Sequence, residues 1–172
     1  MRSRENLRRR LSGYWKMEAL NVALAPFIAF YIAKPDDPLE IAAMAFVFAG
    51  VALLLVVGTL YWRGLLKRKL GDAAPLDRAL RLADAAQPAA RIWCWLAVAA
   101  AAALTIARGL SAPAIAACVG SLLMALEYVN YYKVQLQHFD NGADFKRLIG
   151  GRGFRRAHLA RDLAAYRGRQ RS

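Results

Sequence analysis

LEIAAMAFVFAGVALLLVVGTLYW, residues 39–62, decides what kind of fold this chain adopts. It holds a single charge, Glu40, at its very start. A helix that crosses hydrocarbon needs about 20 consecutive, mostly apolar residues, and this stretch meets that length. Similar runs lie on either side of it. The chain of 172 residues is 58% hydrophobic and yet carries a formal charge of +13. A soluble domain rarely combines the two, because it has no core large enough to hide several such runs. The expected fold class is therefore an all-α integral membrane protein, a four-transmembrane-helix bundle with helices at about 14–33, 39–62, 90–108 and 113–134. A basic N-terminus, 1–13, precedes the 14–134 membrane domain, and a basic tail, 135–172, follows it.

The segments between the runs show where helices stop. Lys34-Pro35-Asp36-Asp37-Pro38 is a turn by composition, and Arg108-Gly109-Leu110-Ser111-Ala112-Pro113 is another. In the first run, Ala23-Leu24-Ala25 has the small residues of a signal-peptide processing site, but Pro26 follows directly and apolar sequence continues. An uncleaved helix, kinked at Pro26, is expected. Arg63, Lys67, Arg68 and Lys69 close the second run and open a central loop, 63–89. Within it, Leu76, Ala79, Leu80 and Ala83 recur at helical spacing, with Asp77, Arg78, Arg81 and Asp84 on the other side. That pattern predicts a short amphipathic helix along the membrane surface; a solvated linker helix has the same pattern. In the tail, Asp140-Asn141-Gly142 breaks helix four, and Asp144 is placed to cap a short segment, Phe145 to Ile149. Gly150 to Gly153 is a joint, and Leu159, Leu163 and Tyr166 form the apolar stripe of a second basic amphipathic helix.

Charge sets the orientation. With both termini in the cytoplasm, all basic residues among the 25 except Lys34 and Arg108 fall inside, as the positive-inside rule requires. The four tryptophans, Trp15, Trp62, Trp93 and Trp95, fall at the inner ends of their helices, where an indole keeps its N–H wet. A bacterial inner (plasma) membrane suits this arrangement. Small residues suggest how the helices meet. Ala99, Ala103 and Ala107 repeat every four positions, as do Ala112, Ala116 and Gly120, and Ala117, Ser121 and Ala125. Such spacing lets backbones approach and predicts a tight hairpin of helices three and four, or a homodimer.

Polar chemistry at membrane depth is concentrated at the end of the fourth run. Glu127 shares a helix face with Asn130, Tyr131, Val134 and His138. An acid there costs a few kcal/mol on insertion scales, of order 2–4, so it needs a partner other than lipid. Glu18, with Asn21 one turn deeper, lies at a similar depth on helix one. The candidate polar cluster is Glu127, Asn130, Tyr131, Glu18 and Asn21, with Tyr128 and Tyr132 alongside. Two carboxylates meeting there would compete for one proton. The alternative is that both acids reach the interface and pair with Lys16, Lys133 or an arginine.

Other chemistry finds little support. The histidines, His138 and His158, lie at or beyond the inner end of helix four, which argues against bis-histidine haem in the bundle. Cys94 and Cys118 fall near opposite membrane faces, too far apart for a disulfide, and no Cys-x-x-Cys or P-loop occurs. Neither a cofactor nor a metal site is expected. His138 with Asp140 or Asp144 resembles an acid–base pair, but no nucleophile accompanies it. A non-enzymatic anchor or adaptor is the expected function. Its basic cytoplasmic residues, Arg152, Arg155, Arg156 and Arg161 of the tail and Arg63, Lys67, Arg68 and Lys69 of the loop, would contact the anionic inner leaflet or a partner protein. Nucleic acid is not an expected partner, because the basic N-terminal arm leads straight into an apolar run. Two alternatives stay open: a small proton-coupled transporter or channel using Glu127 and Glu18, and a membrane-embedded lipid enzyme.

Overall fold

The computed structural model describes residues 2–136 and 155–171, all in helices and their connections. The helices are α1 (Arg2–Ala33), α2 (Pro38–Lys69), α3 (Ala74–Arg108), α4 (Ala112–Tyr132) and α5 (His158–Arg171). The first four are each long and apolar enough to cross a membrane. The expected short helix at 145–149, the joint at 150–153, His138, Asp140, Asp144 and Arg152 lie outside the described residues.

Local chemistry fixes the helix ends at one pole. Asp37 caps α2, its Oδ1 accepting from the Leu39 N–H at 2.8 Å with Pro38 in the first turn, where proline's missing donor costs nothing. Ser111 caps α4 in the same way, accepting from the Ala114 N–H at 3.3 Å. Between α3 and α4 the chain turns through Gly109 at φ 67°, a conformation open to glycine without steric cost. The Arg108 guanidinium donates to Asp37 Oδ2 at 2.5 Å and ties the two turns together.

α2 is the middle of the bundle and packs against α1, α3 and α4. Met44, Val47, Val51 and Leu54 are fully buried along it. Half of its most apolar stretch is buried, 50%, against 6% for α1; α1 is an outer helix. The outward surface is apolar as well. Met17, Leu20, Phe27, Tyr31 and Ile32 of α1 and Trp95 and Ile106 of α3 stand exposed, Ile106 by 87%. An apolar belt of this size suits lipid rather than water.

Three expectations change. Residues 63–89 do not form a loop with its own helix: α2 continues to Lys69, α3 begins at Ala74, and only 70–73 lie between them. α3 runs straight through Pro88. At 1.5 Å per residue, α2 and α3 are roughly 50 Å long, well beyond the ~30 Å hydrocarbon layer. Their excess lies at the basic pole, because they end together at the other. Second, the stripe Ala99, Ala103 and Ala107 is exposed and does not face α4, so the hairpin use of that stripe is not seen; α3 instead turns Ala90, Ala97, Ala101 and Leu104 inward. An alanine-rich helix carries small residues on every side, so spacing alone does not select a face. On α4, Ala117, Gly120 and Ser121 are buried, Ala116 and Ala125 are half-buried and Ala112 is exposed, and Gly120 sits against Val47 and Phe48 of α2 rather than against α3.

The third change concerns α5. Its stripe of Leu159, Leu163 and Tyr166 is buried in the same core as Tyr61, Leu76, Leu80 and Ala83. α4 stops at Tyr132, short of the α2–α3 extension, and α5 packs on α3 and α4 in that place. A bridge between Val134 and Arg156 brings the chain back. Arg167 pairs with Asp84 and Arg169 with Asp77 of α3, and the Tyr61 hydroxyl donates to Asp162 Oδ2 at 3.0 Å.

Candidate functional site

The polar residues of α1 and α4 meet where α2 gives them room. Tyr131 is 3% exposed, and its hydroxyl lies directly against Gly58 of α2, where any Cβ would collide with it. Glycine at 58 therefore lets a phenol of α4 reach across to α1. There it donates to Glu18 Oε2 at 2.6 Å. Glu127, one turn earlier on α4, faces the same phenol and the Asn130 side chain. Its Oε2 is buried and without a hydrogen-bond partner. Two carboxyl groups from different helices thus flank one buried hydroxyl. Among the described residues neither forms an ion pair, and Lys16 and Lys133 are both exposed.

The rest of the expected cluster divides. Asn130 accepts from the Leu136 N–H at 2.9 Å and so fixes the chain just past α4. Asn21 is exposed on α1 and takes no part. The tyrosines go separate ways. Tyr132 donates to the Ala83 carbonyl of α3 at 3.0 Å, and Tyr128 lies against its ring, centroids 5.1 Å apart. Two further buried polar atoms without partners, Trp15 Nε1 and Thr59 Oγ1, belong to residues beside this junction: Trp15 is three positions from Glu18 and Thr59 follows Gly58. Sequence reasoning did not single out Tyr61, Thr59 or Gly58. Gly58 carried the available signal, a glycine set between the bulky residues Leu53 to Val57 and Leu60.

The basic candidates are at the surface. Arg63, Lys67, Arg68 and Lys69 are exposed along the end of α2, and Arg155, Arg156 and Arg161 are exposed at and before the start of α5. Among the described residues, no three metal-ligating side chains converge. Proton exchange between carboxyl and phenol groups is the chemistry the buried cluster offers, and anion contact is what the basic pole offers.

Fold and surface together define the class: an all-helical bundle whose four long helices suit a membrane. No protein-family model, curated protein or solved structure matches the chain.

Proposed function

We propose that this chain is an integral protein of a bacterial inner membrane, with both termini in the cytoplasm. It acts without catalysis, as an anchor or adaptor whose basic pole contacts anionic lipid or an acidic partner. The supporting observation is the row of exposed cations at the end of α2. Arg63, Lys67, Arg68 and Lys69 form no ion pair among the described residues, and they stand at the pole opposite Lys34 and Arg108. Each such cation near an anionic surface contributes about 1 kcal/mol, an attraction that salt screens. Two measurements test the reading. Single cysteines at 34–37 and 109–111 should label from outside intact cells, while those at 70–73 should not. The full chain in mild detergent should retain anionic lipid over zwitterionic lipid, and less of it as salt rises. Outside labelling of 70–73, or equal retention of both lipids, ends the proposal.

The contact of Glu18, Tyr131 and Glu127 favours a second reading, a small proton-coupled transporter or channel. An amide keeps the shape of Glu127 but cannot carry a proton. On this reading Glu127→Gln leaves stability unchanged and abolishes proton flux in reconstituted vesicles. A wild-type protein with no flux under any imposed gradient rules it out.

A further inference from the structure

α2 and α3 run antiparallel into the basic pole, and a cleft of about 360 Å³ opens between them. Its walls follow one helical rhythm. α2 supplies Leu60, Arg63, Gly64 and Lys67; α3 supplies Pro75, Arg78, Ala79 and Leu82. Both sets are spaced i, i+3, i+4, i+7, the side chains of one helix face. Gly64 and Ala79 are the buried floor. The helices come close there: a Cβ on Gly64 would lie 2.8 Å from the Leu76 Cα.

Polarity changes along the cleft. Because the helices are antiparallel, Leu60 and Leu82 stand together at the end nearer the bundle, and Lys67 and Pro75 at the open end. Arg63 and Arg78 lie between. From Leu60 to Lys67 the distance is roughly 10 Å at 1.5 Å per residue. The Arg63 guanidinium is held over the Trp15 ring of α1, 6.0 Å from its centroid. Among the described residues no carboxylate lines the cleft. The acids of this part of α3, Asp77 and Asp84, are instead ion-paired with Arg169 and Arg167 of α5. With both aspartates held by α5, the charged residues lining the cleft are cations alone. Arg63, Lys67 and Arg78 form no ion pair among the described residues.

We infer that this cleft binds one anionic phospholipid, with its phosphate among Arg63, Lys67 and Arg78 and its acyl chains leaving past Leu60 and Leu82. The inference rests on the cytoplasmic, lipid-facing placement of the basic pole proposed above. Guanidinium groups donate to phosphate oxygens in a fork that fixes orientation. An apolar exit nearer the bundle suits a ligand with hydrocarbon on one side of its phosphate, which distinguishes a lipid from free phosphate. The volume sits at the lower end of ligand sites, about 300–1,000 Å³, enough for a headgroup whose chains remain in the bilayer.

The test uses the full chain in mild detergent and counts bound lipid by native mass spectrometry during titration with phosphatidylglycerol. Wild type should saturate one tight site. Arg63→Gln, Lys67→Gln and Arg78→Gln together should weaken that site at least tenfold. Removing three charges elsewhere, by Arg8→Gln, Arg91→Gln and Arg171→Gln at exposed positions, should change it less than threefold. If the cleft triple does not fold, Arg78→Glu alone, at an exposed position, should give the same tenfold loss. Equal losses in both triples would overturn the site while leaving the basic-pole reading intact. Wild-type binding that does not distinguish phosphatidylglycerol from phosphatidylcholine would overturn both. Displacement of the lipid by glycerol phosphate at similar concentration would assign the cleft to soluble phosphates and overturn the lipid proposal.

Discussion

At one pole of the bundle two short turns, 34–37 and 109–111, are joined by a single ion pair between Asp37 and Arg108. At the other pole, α2 and α3 extend beyond α4, α5 returns to cover them, and tyrosines bridge helices far apart in the chain. The first pole is local chemistry: two caps, a glycine and a pair on the surface. The second is made of contacts between residues far apart in the chain, from 49 positions for Tyr132 with Ala83 to 113 for Tyr131 with Glu18. Substitutions at the two poles should therefore differ in size as well as in place.

Release of α5 is the largest expected change. Leu163 is 2% exposed, and truncating a buried leucine removes both burial and packing. Leu163→Ala should cost about 2–5 kcal/mol and free the 155–171 segment to protease while the turns at the opposite pole stay protected. Cleavage no faster than in wild type would mean that α5 is not held by its apolar stripe. Next comes the phenol's passage across α2. Gly58→Val puts two methyl groups where the Tyr131 hydroxyl lies, and overpacking costs about 1–3 kcal/mol. Because the hydroxyl then cannot reach Glu18, Tyr131→Phe made in the Gly58→Val background should add little further loss. Full additivity of the two changes would show that they are independent.

The smallest effect belongs to the simple pole. The Leu39 N–H, and then the Arg108 guanidinium, hold the Asp37 carboxyl below its ordinary range. A depressed folded-state value means stability that is present above the unfolded value and is lost as pH falls through the folded one. Asp37→Asn keeps a cap for α2 but loses the charge. Thermal stability should fall slightly at neutral pH, and the difference from wild type should vanish in strong acid. A difference that persists there would assign the loss to shape rather than to charge.

Much of this was legible from hydropathy. The four long helices and both turns at the simple pole follow from apolar runs broken by proline, glycine and capping residues. At the basic pole the same signals misled. The expected start of helix three is about 90, just after Pro88, which removes a donor and crowds the preceding turn, yet Pro88 sits exposed inside α3, where an outward-facing ring is accommodated. Periodicity found the apolar stripes of 76–83 and 159–166, but a stripe does not say what covers it, and in the fold each covers the other. Of the expected polar cluster, Glu18, Glu127, Tyr131 and Asn130 share the junction, and Asn21 does not. Depth along a helix can be counted from sequence; the direction in which α1 is rotated cannot.

The mutual cover of α3 and α5 bears on how the chain is made. Leu76, Leu80 and Ala83 precede α5 by about eighty positions, so they emerge from the ribosome well before Leu159 and Leu163 exist. During that interval, an apolar strip and two unmatched aspartates, Asp77 and Asp84, stand at the end of a finished hairpin. The four long helices can pack on one another while this end is still open. Completion waits for α5, and a nascent chain stalled before residue 158 would display to chaperones and proteases the surface that the mature protein conceals.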